Sequence, residues 1–111
     1  MLNVSEANEW LANFDQVELF KIEYDDLNAC YNLTLVFSKD LMNTSSQKLN
    51  VIFYYVSSLN LNDSFQSNFQ QFMSLVIEKD SNRWENVNYE VRQIEDDNLM
   101  FKCKSFSAFL M

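Results

Sequence analysis

The 111 residues include no histidine, glycine or proline, and 16 acidic residues against 8 basic ones give a net charge of −8. Histidine is the usual proton shuttle and metal ligand near neutral pH, and glycine lets a backbone approach a phosphate closely. Their absence excludes the Ser-His-Asp triad, the Cys-His pair, the HExxH zinc motif, the P-loop and the dinucleotide fingerprint. The composition favours a small acidic binding protein, without catalytic residues, metal ligands or cofactors, over an enzyme.

The chain is expected to form a single domain over residues 1–111, because hydrophobic residues make up 48% of it and aromatic residues 15%. Its start lacks the basic residues and apolar stretch of a secretory signal. The longest apolar run, residues 51–56, is far shorter than the roughly 20 residues of a membrane span. We therefore expect a cytoplasmic protein in which Cys30 and Cys103 are reduced and buried.

The chain begins with a short predicted helix. Ala7, Leu11 and Phe14 recur on one face together with Val4, at helical spacing. Ser5 is expected to cap this helix, because a serine side chain can accept a hydrogen bond from a backbone N–H of the first turn.

After Asp15 the apolar residues recur at a period of two, which is typical of half-buried strands. Strands are predicted near residues 17–24, 31–37, 49–56, 73–77, 87–91 and 99–104, with a short helical segment over residues 63–72. The segment 49–56 is apolar on both faces and belongs in the centre of the sheet. The predicted fold class is α+β, with an N-terminal helix packed on one curved, mostly antiparallel, meandering β-sheet of about six strands.

Asparagine, aspartate and serine form every predicted turn. Since glycine is missing, asparagine is expected at the positions with positive φ. The last hairpin should close with a three-residue loop over residues 96–98. That length would place Val91 opposite Cys103 and Glu90 opposite Lys104.

The negative charge is concentrated in two parts of the chain. Residues 1–40 carry a net charge of −6, residues 41–84 carry none, and residues 85–111 carry −2. An acidic surface repels nucleic acid and attracts a basic protein, although a solvated face that keeps a small protein soluble is an equal alternative. The acidic residues that are candidates for binding are Asp15, Glu18, Glu23, Asp25 and Asp26 after the helix, and Asp96 and Asp97 in the last hairpin.

Other residue types are weaker candidates. The adjacent aspartate pairs lack the spacing of a calcium loop and are better explained as turn residues. Neither cysteine has a histidine to activate it as a nucleophile. Aromatic residues can anchor a protein interface, although most of them fill the core. The aromatic candidates are Trp10, Tyr54, Tyr55, Tyr89 and Trp84, of which Trp84 follows a polar turn and is the best candidate for exposure.

Two segments resemble a known class of proteins. The first strand begins with Phe14-Asp15-Gln16-Val17-Glu18, and the chain ends in Phe101-Lys-Cys-Lys-Ser-Phe106. Together with the order of elements between them, these segments resemble the small immunity proteins of bacterial polymorphic-toxin and contact-dependent growth inhibition systems. One family of that class has an F-H-D-like element before its first strand and a similar F-x-C/S-x-S-F ending.

The resemblance spans most of the chain and implies the neutralisation of a cognate toxin, typically a nuclease, in the cytoplasm. The implied partner is the C-terminal toxin domain, a basic protein, with no direct contact to nucleic acid or membrane. The acidic residues named above would bind this domain, with Trp84 as an apolar anchor.

Two further functions fit the sequence. A small anti-defence protein that mimics DNA would also be acidic, but its carboxylates would be spaced along a continuous ridge. A ligand-binding half-barrel would instead hold an apolar molecule within its aromatic interior.

Overall fold

The computed structural model describes residues 3–40, 42–43, 47–61, 73–80, 86–94 and 99–111. This part of the chain contains one helix and eight strands. In chain order they are α1 (Val4–Asn13), β1 (Gln16–Asp25), β2 (Cys30–Ser38), β3 (Lys48–Tyr54), β4 (Ser57–Leu61), β5 (Leu75–Lys79), β6 (Tyr89–Gln93), β7 (Leu99–Cys103) and β8 (Ser105–Leu110). The helical segment predicted over residues 63–72 lies outside the described residues. In the described ranges, no helix is long and apolar enough to cross a membrane.

The helix α1 begins with a capping box. The Glu6 backbone N–H donates a hydrogen bond of 2.8 Å to Asn3 Oδ1, and the Glu6 carboxylate accepts one from the Asn3 backbone N–H. The N-cap is therefore Asn3, and the prediction of Ser5 was wrong because Ser5 already lies inside the first turn. Ala7 and Leu11 are buried, as the spacing of apolar residues predicted.

The strands form two antiparallel four-stranded sheets, so the prediction of a single six-stranded sheet was wrong. The first sheet has the order β1-β2-β3-β8, and the second has the order β4-β7-β6-β5. The paired strands β3 and β8 continue into the paired strands β4 and β7 of the other sheet. The change of sheet occurs at Tyr55, which has a φ of 57°, and at Lys104, whose backbone N–H donates to Tyr54 O over 2.9 Å. The α+β class holds, although the described part is mostly β.

Side chains from both sheets form the core. The Phe53 ring packs edge-on against the Phe101 ring with 4.9 Å between centroids, and Phe106 packs against Phe53 from β8. Cys103 is buried among these residues as predicted, and burial raises the pKa of its thiol to about 12. The aromatic residues of the two sheets thus fill the space between them, which argues against a ligand-binding half-barrel.

The register of the last hairpin differs from the prediction. Val91 lies opposite Phe101, and Glu90 lies opposite Lys102, so the pairing is shifted by two residues. A shift of two keeps every side chain on its predicted face. Val91, Phe101 and Cys103 are accordingly all buried, while the loop residues 95–98 lie outside the described residues.

Candidate functional site

Five of the predicted site residues lie in or directly next to a single strand. Glu18, Glu23 and Asp25 belong to β1, Asp15 immediately precedes it, and Asp26 immediately follows it. We call these five residues the acidic edge, because β1 is the outermost strand of the first sheet in the described structure. At about 3.3 Å per residue, β1 is about 33 Å long, so the carboxylates are spread along the strand and are not gathered at one end.

Two carboxylates of the acidic edge are paired with lysines of the same protein. Glu18 forms an ion pair with Lys48 of β3. Glu23 lies 3.3 Å from Lys21 Nζ, and both of these side chains are more than half exposed. Exposed ion pairs contribute little to stability, so a stronger partner can replace Lys21 at low cost.

Asp25 is a turn residue, as the sequence predicted for the adjacent aspartate pairs. Its carboxylate accepts hydrogen bonds from the backbone N–H groups of Leu27 and Asn28, at 3.1 and 3.3 Å, and from Asn28 Nδ2 at 2.8 Å. The bond from the Asn28 side chain is the main reason that the pKa of Asp25 lies below its usual value. Asp25 therefore closes the β1–β2 turn, whereas the neighbouring Asp26 is exposed.

Asp15 also contributes to the fold. Its backbone oxygen accepts a 2.7 Å hydrogen bond from the Met73 N–H, and the residue is half-buried. Trp84, Asp96 and Asp97 lie outside the described residues, so their role in binding stays a prediction.

The aromatic candidates within the described residues are all half-buried, and two of them pack against the core. Trp10 and Tyr89 pack against buried residues, and the Tyr54 hydroxyl lies 3.3 Å from the Ser107 hydroxyl. Tyr55 is contacted by Lys104, whose Nζ lies 5.0 Å from the ring centroid.

The more exposed aromatic pair was missed by the sequence analysis. Tyr24 and Tyr31 lie opposite each other at the end of the β1–β2 hairpin, with exposed fractions of 57% and 54%. Their rings pack edge-on with 5.2 Å between centroids. Leu27, in the adjoining turn, is 92% exposed. Both tyrosines are close in sequence to the turn at residues 26–29, and this position could have indicated that they lie outside the core.

A surface pocket of about 330 Å³ opens beside this pair. We call it the tip pocket, and it is lined by Ala29, Cys30, Tyr31, Tyr55, Val56, Ser57, Asn86 and Val87. Cys30 is half-buried in its wall, and not buried as predicted. Three lining residues, Ala29, Tyr55 and Asn86, have positive φ, so asparagine takes that conformation at only one of them.

Comparison with known protein families shows to which family the chain belongs. The family model described as Immunity protein PIM8 matches residues 12–109. The chain belongs to the PIM8 family of immunity proteins. Neither the curated proteins nor the solved structures gave a match.

The match covers the end of α1 and nearly all of the eight strands, including the acidic edge and the tip pocket. It confirms the resemblance to immunity proteins of toxin systems. Membership implies that the protein neutralises a toxin, and that its partner is that toxin protein. It also implies an inhibitor in preference to an enzyme.

Proposed function

We propose that this immunity protein binds its cognate toxin domain, a nuclease, in the cytoplasm and covers the basic surface that the toxin uses for its substrate. It acts as an inhibitor and performs no chemistry of its own. A nuclease must present lysine and arginine to a phosphate backbone, and an acidic protein can occupy the same groups. The observation that carries the proposal is the acidic edge, which brings five carboxylates along one strand of a protein with a net charge of −8.

The ion pairs of the acidic edge support this function. Lys21 and Lys48 each neutralise one carboxylate in the free protein. Toxin arginines and lysines can displace Lys21 from its exposed pair, which is weak, and can join the partly exposed Glu18–Lys48 pair. Asp26 forms none of the ion pairs seen in the described structure, and it is exposed, whereas Asp15 and Asp25 are half-buried. Among the carboxylates of the acidic edge, it is the best candidate for a direct contact with a toxin cation.

The spacing of the carboxylates also favours a second candidate function. A DNA mimic requires acidic groups along a continuous ridge, and the acidic edge runs along the whole of β1. The lysines paired with Glu18 and Glu23 interrupt that ridge, and membership of an immunity family favours a single toxin partner. Inhibition of several unrelated DNA-binding proteins at similar concentrations would support the mimic and contradict the proposed specificity.

The test is co-purification with the cognate C-terminal toxin domain, which we expect to be encoded by a neighbouring gene, followed by titration at several salt concentrations. We expect a one-to-one complex that abolishes nuclease activity and weakens as salt increases. Asp26→Lys should weaken binding about tenfold or more, because it replaces an attraction with a repulsion.

The matched control is Glu9→Lys, which makes the same change of charge at an exposed position of α1. It should leave the affinity close to that of the wild type. A complex whose affinity changes neither with salt concentration nor on the substitution Asp26→Lys would contradict the acidic-edge mechanism.

A further inference from the structure

We propose that residues 21–25, the last part of β1, bind an extended segment of the toxin as an additional strand of the first sheet. We call these residues the pairing segment. The inference rests on the proposed function and adds to it the backbone contacts that hold the toxin in register along the acidic edge. At about 3.3 Å per residue, the bound toxin segment would span about 17 Å.

The direction of the backbone groups of β1 follows from the pair formed by Tyr24 and Tyr31. The Tyr31 C=O accepts a 2.8 Å hydrogen bond from the N–H of Val56, which follows β3 on the far side of β2. Both backbone groups of a strand residue point to the same side, so Tyr24 and Tyr31 form a pair of the kind without backbone hydrogen bonds. The N–H and C=O of Tyr24 therefore point away from β2. The alternation along the strand gives the same direction to the backbone groups of Ile22.

The edge that these groups face is regular and open in the described structure. The pairing of β1 with β2 is interrupted by a bulge between Val17 and Leu19 but continues without a break from Leu19 to Asp25. Within the described residues, no backbone hydrogen bond from another strand reaches the N–H or C=O of Ile22 or Tyr24. Unpaired backbone groups along a regular edge bind another strand readily, and extended peptides are recognised in this way.

Other edges of the two sheets are occupied by the protein itself. The Asp15 C=O, just before β1, accepts a 2.7 Å hydrogen bond from the Met73 N–H. At β5, which ends the second sheet, the side chain of Asn8 bonds to both backbone groups of Ile77. The pairing segment differs from both places, because its outward backbone groups are available to a partner.

The side chains of the pairing segment define the chemistry of the added strand. Ile22 and Tyr24 lie on one face of β1, where they are 42% and 57% exposed. Lys21, Glu23 and Asp25 lie on the other face. Residues opposite each other in neighbouring strands contact each other on the same face. A matching segment therefore alternates apolar residues beside Ile22 and Tyr24 with basic residues beside Glu23 and Asp25.

A strand of a basic toxin fits this pattern better than a second copy of this chain. Each copy carries a net charge of −8, so two copies repel each other as they approach. The lysine of the pairing segment is also already paired, since Lys21 Nζ lies 3.3 Å from Glu23. A toxin strand supplies the positive charge that a second copy lacks.

Titration of two variants with the cognate toxin domain tests the pairing. Ile22→Pro removes an N–H that β1 does not use to pair with β2, and proline is tolerated at such edge positions. We expect it to weaken toxin binding about tenfold or more, because the toxin strand loses its hydrogen bond to that N–H and meets the proline ring. Ile22→Val is the matched control, since it keeps the N–H and a branched apolar side chain, and it should bind within about threefold of the wild type. Equal affinities of the two variants would overturn the added strand.

Hydrogen exchange of individual amides in the wild type provides a second measurement that needs no variant. In the free chain, the N–H groups of Lys21 and Glu23 point towards β2 and should exchange slowly, whereas those of Ile22 and Tyr24 should exchange rapidly. We expect saturating toxin domain to slow the exchange of the Ile22 and Tyr24 amides about tenfold or more. Unchanged exchange of both amides in the complex would overturn the inference.

The two proposals fail in different ways. If the toxin domain does not bind the wild-type protein, the proposed function fails. If it binds and Ile22→Pro retains full affinity, only the added strand fails. Sedimentation of the free chain covers the remaining occupant, because a dimer that Ile22→Pro dissociates would assign the pairing segment to a second copy and overturn its assignment to the toxin.

Discussion

The side chain of Asn8 forms two hydrogen bonds with the backbone of Ile77. Asn8 Nδ2 donates to Ile77 O over 2.9 Å, and the Ile77 N–H donates to Asn8 Oδ1 over 2.8 Å. Ile77 lies in β5, which ends the second sheet of the described structure. The amide of Asn8 thus takes the place of a neighbouring strand. It attaches α1 to the sheet and covers an edge that could otherwise pair with another chain.

Replacing this amide should destabilise the fold. We expect Asn8→Ala to lower the free energy of unfolding by about 2 kcal/mol, because two partly buried hydrogen bonds are lost. Urea denaturation measures the change. Asn13→Ala is the control, since Asn13 donates only one exposed hydrogen bond, to Glu9 O at 3.1 Å. Equal stability of the two variants would show that the Asn8–Ile77 contact does not hold α1 in place.

The adjacent residues Asp25 and Asp26 should differ in what their removal affects. Asp25→Ala removes an acceptor of three hydrogen bonds in the β1–β2 turn and should lower Tm measurably. Asp26→Ala should leave Tm unchanged and weaken toxin binding. Thermal unfolding and toxin titration of both variants separate the roles. A loss of stability in the Asp26 variant alone would reverse the assignment.

The contribution of Asp25 should also depend on pH. The pKa of Asp25 in the folded protein is lowered from the ordinary value of 3.8, chiefly by the hydrogen bond from Asn28. Its contribution is therefore present above pH 3.8 and is lost as the pH falls through the lowered pKa. The Tm difference between the wild type and Asp25→Ala should be constant above that pH and shrink below it. A difference that grows on acidification would contradict this reasoning.

The two thiols should differ in reactivity. The pKa of Cys103 is raised by burial from 9.0 to about 12, while Cys30 is half-buried in the tip pocket. We expect a disulfide reagent to label one thiol per native chain and two per unfolded chain. The stability that neutral Cys103 contributes is complete below pH 9 and is lost as the pH rises towards 12. Cys103→Ala should remove that part of the alkaline destabilisation, and rapid native labelling of both thiols would contradict the burial of Cys103.

The packed phenylalanines should dominate stability. Phe53 is fully buried against Phe101 and Phe106. We expect Phe53→Ala to cost about 3–5 kcal/mol, because it removes a large buried ring and leaves a cavity. The half-exposed Phe109 provides the control, and Phe109→Ala should cost much less. Calorimetry or urea denaturation of both variants would settle the comparison.

The sequence carried enough information for the strands of the core but not for their division into two sheets. The period of two identified β2, β6 and β7, because alternate side chains are buried along β6, β7 and the first part of β2. The apolar segment 49–56 identified β3. The period of two missed β4, in which all five residues are exposed. The alternation of Phe106 and Ala108 with serines could have revealed β8. The chain changes sheets at Tyr55, where φ is positive. Tyrosine rarely adopts a positive φ, so the residue type gave no indication of this change.

The site could be predicted in its chemistry but not in its geometry. Net charge identified an acidic surface, and the structure then placed its residues along one strand instead of in a cluster. The sequence indicated a turn role for Asp25, but it could not show that the carboxylate accepts a hydrogen bond from the Asn28 side chain. Tyr24 shares a face with Phe20 and Ile22, but the core does not extend to the end of the hairpin, so periodicity alone could not show that Tyr24 is exposed.

Hydrogen exchange of the backbone amides, compared between the free chain and its complex with the cognate toxin domain, tests the central claim most directly. We expect slower exchange in the complex across residues 15–31, which contain the acidic edge and the Tyr24–Tyr31 pair, with the α1 amides unchanged. Slower exchange confined to other segments, with residues 15–31 exchanging as in the free chain, would contradict it.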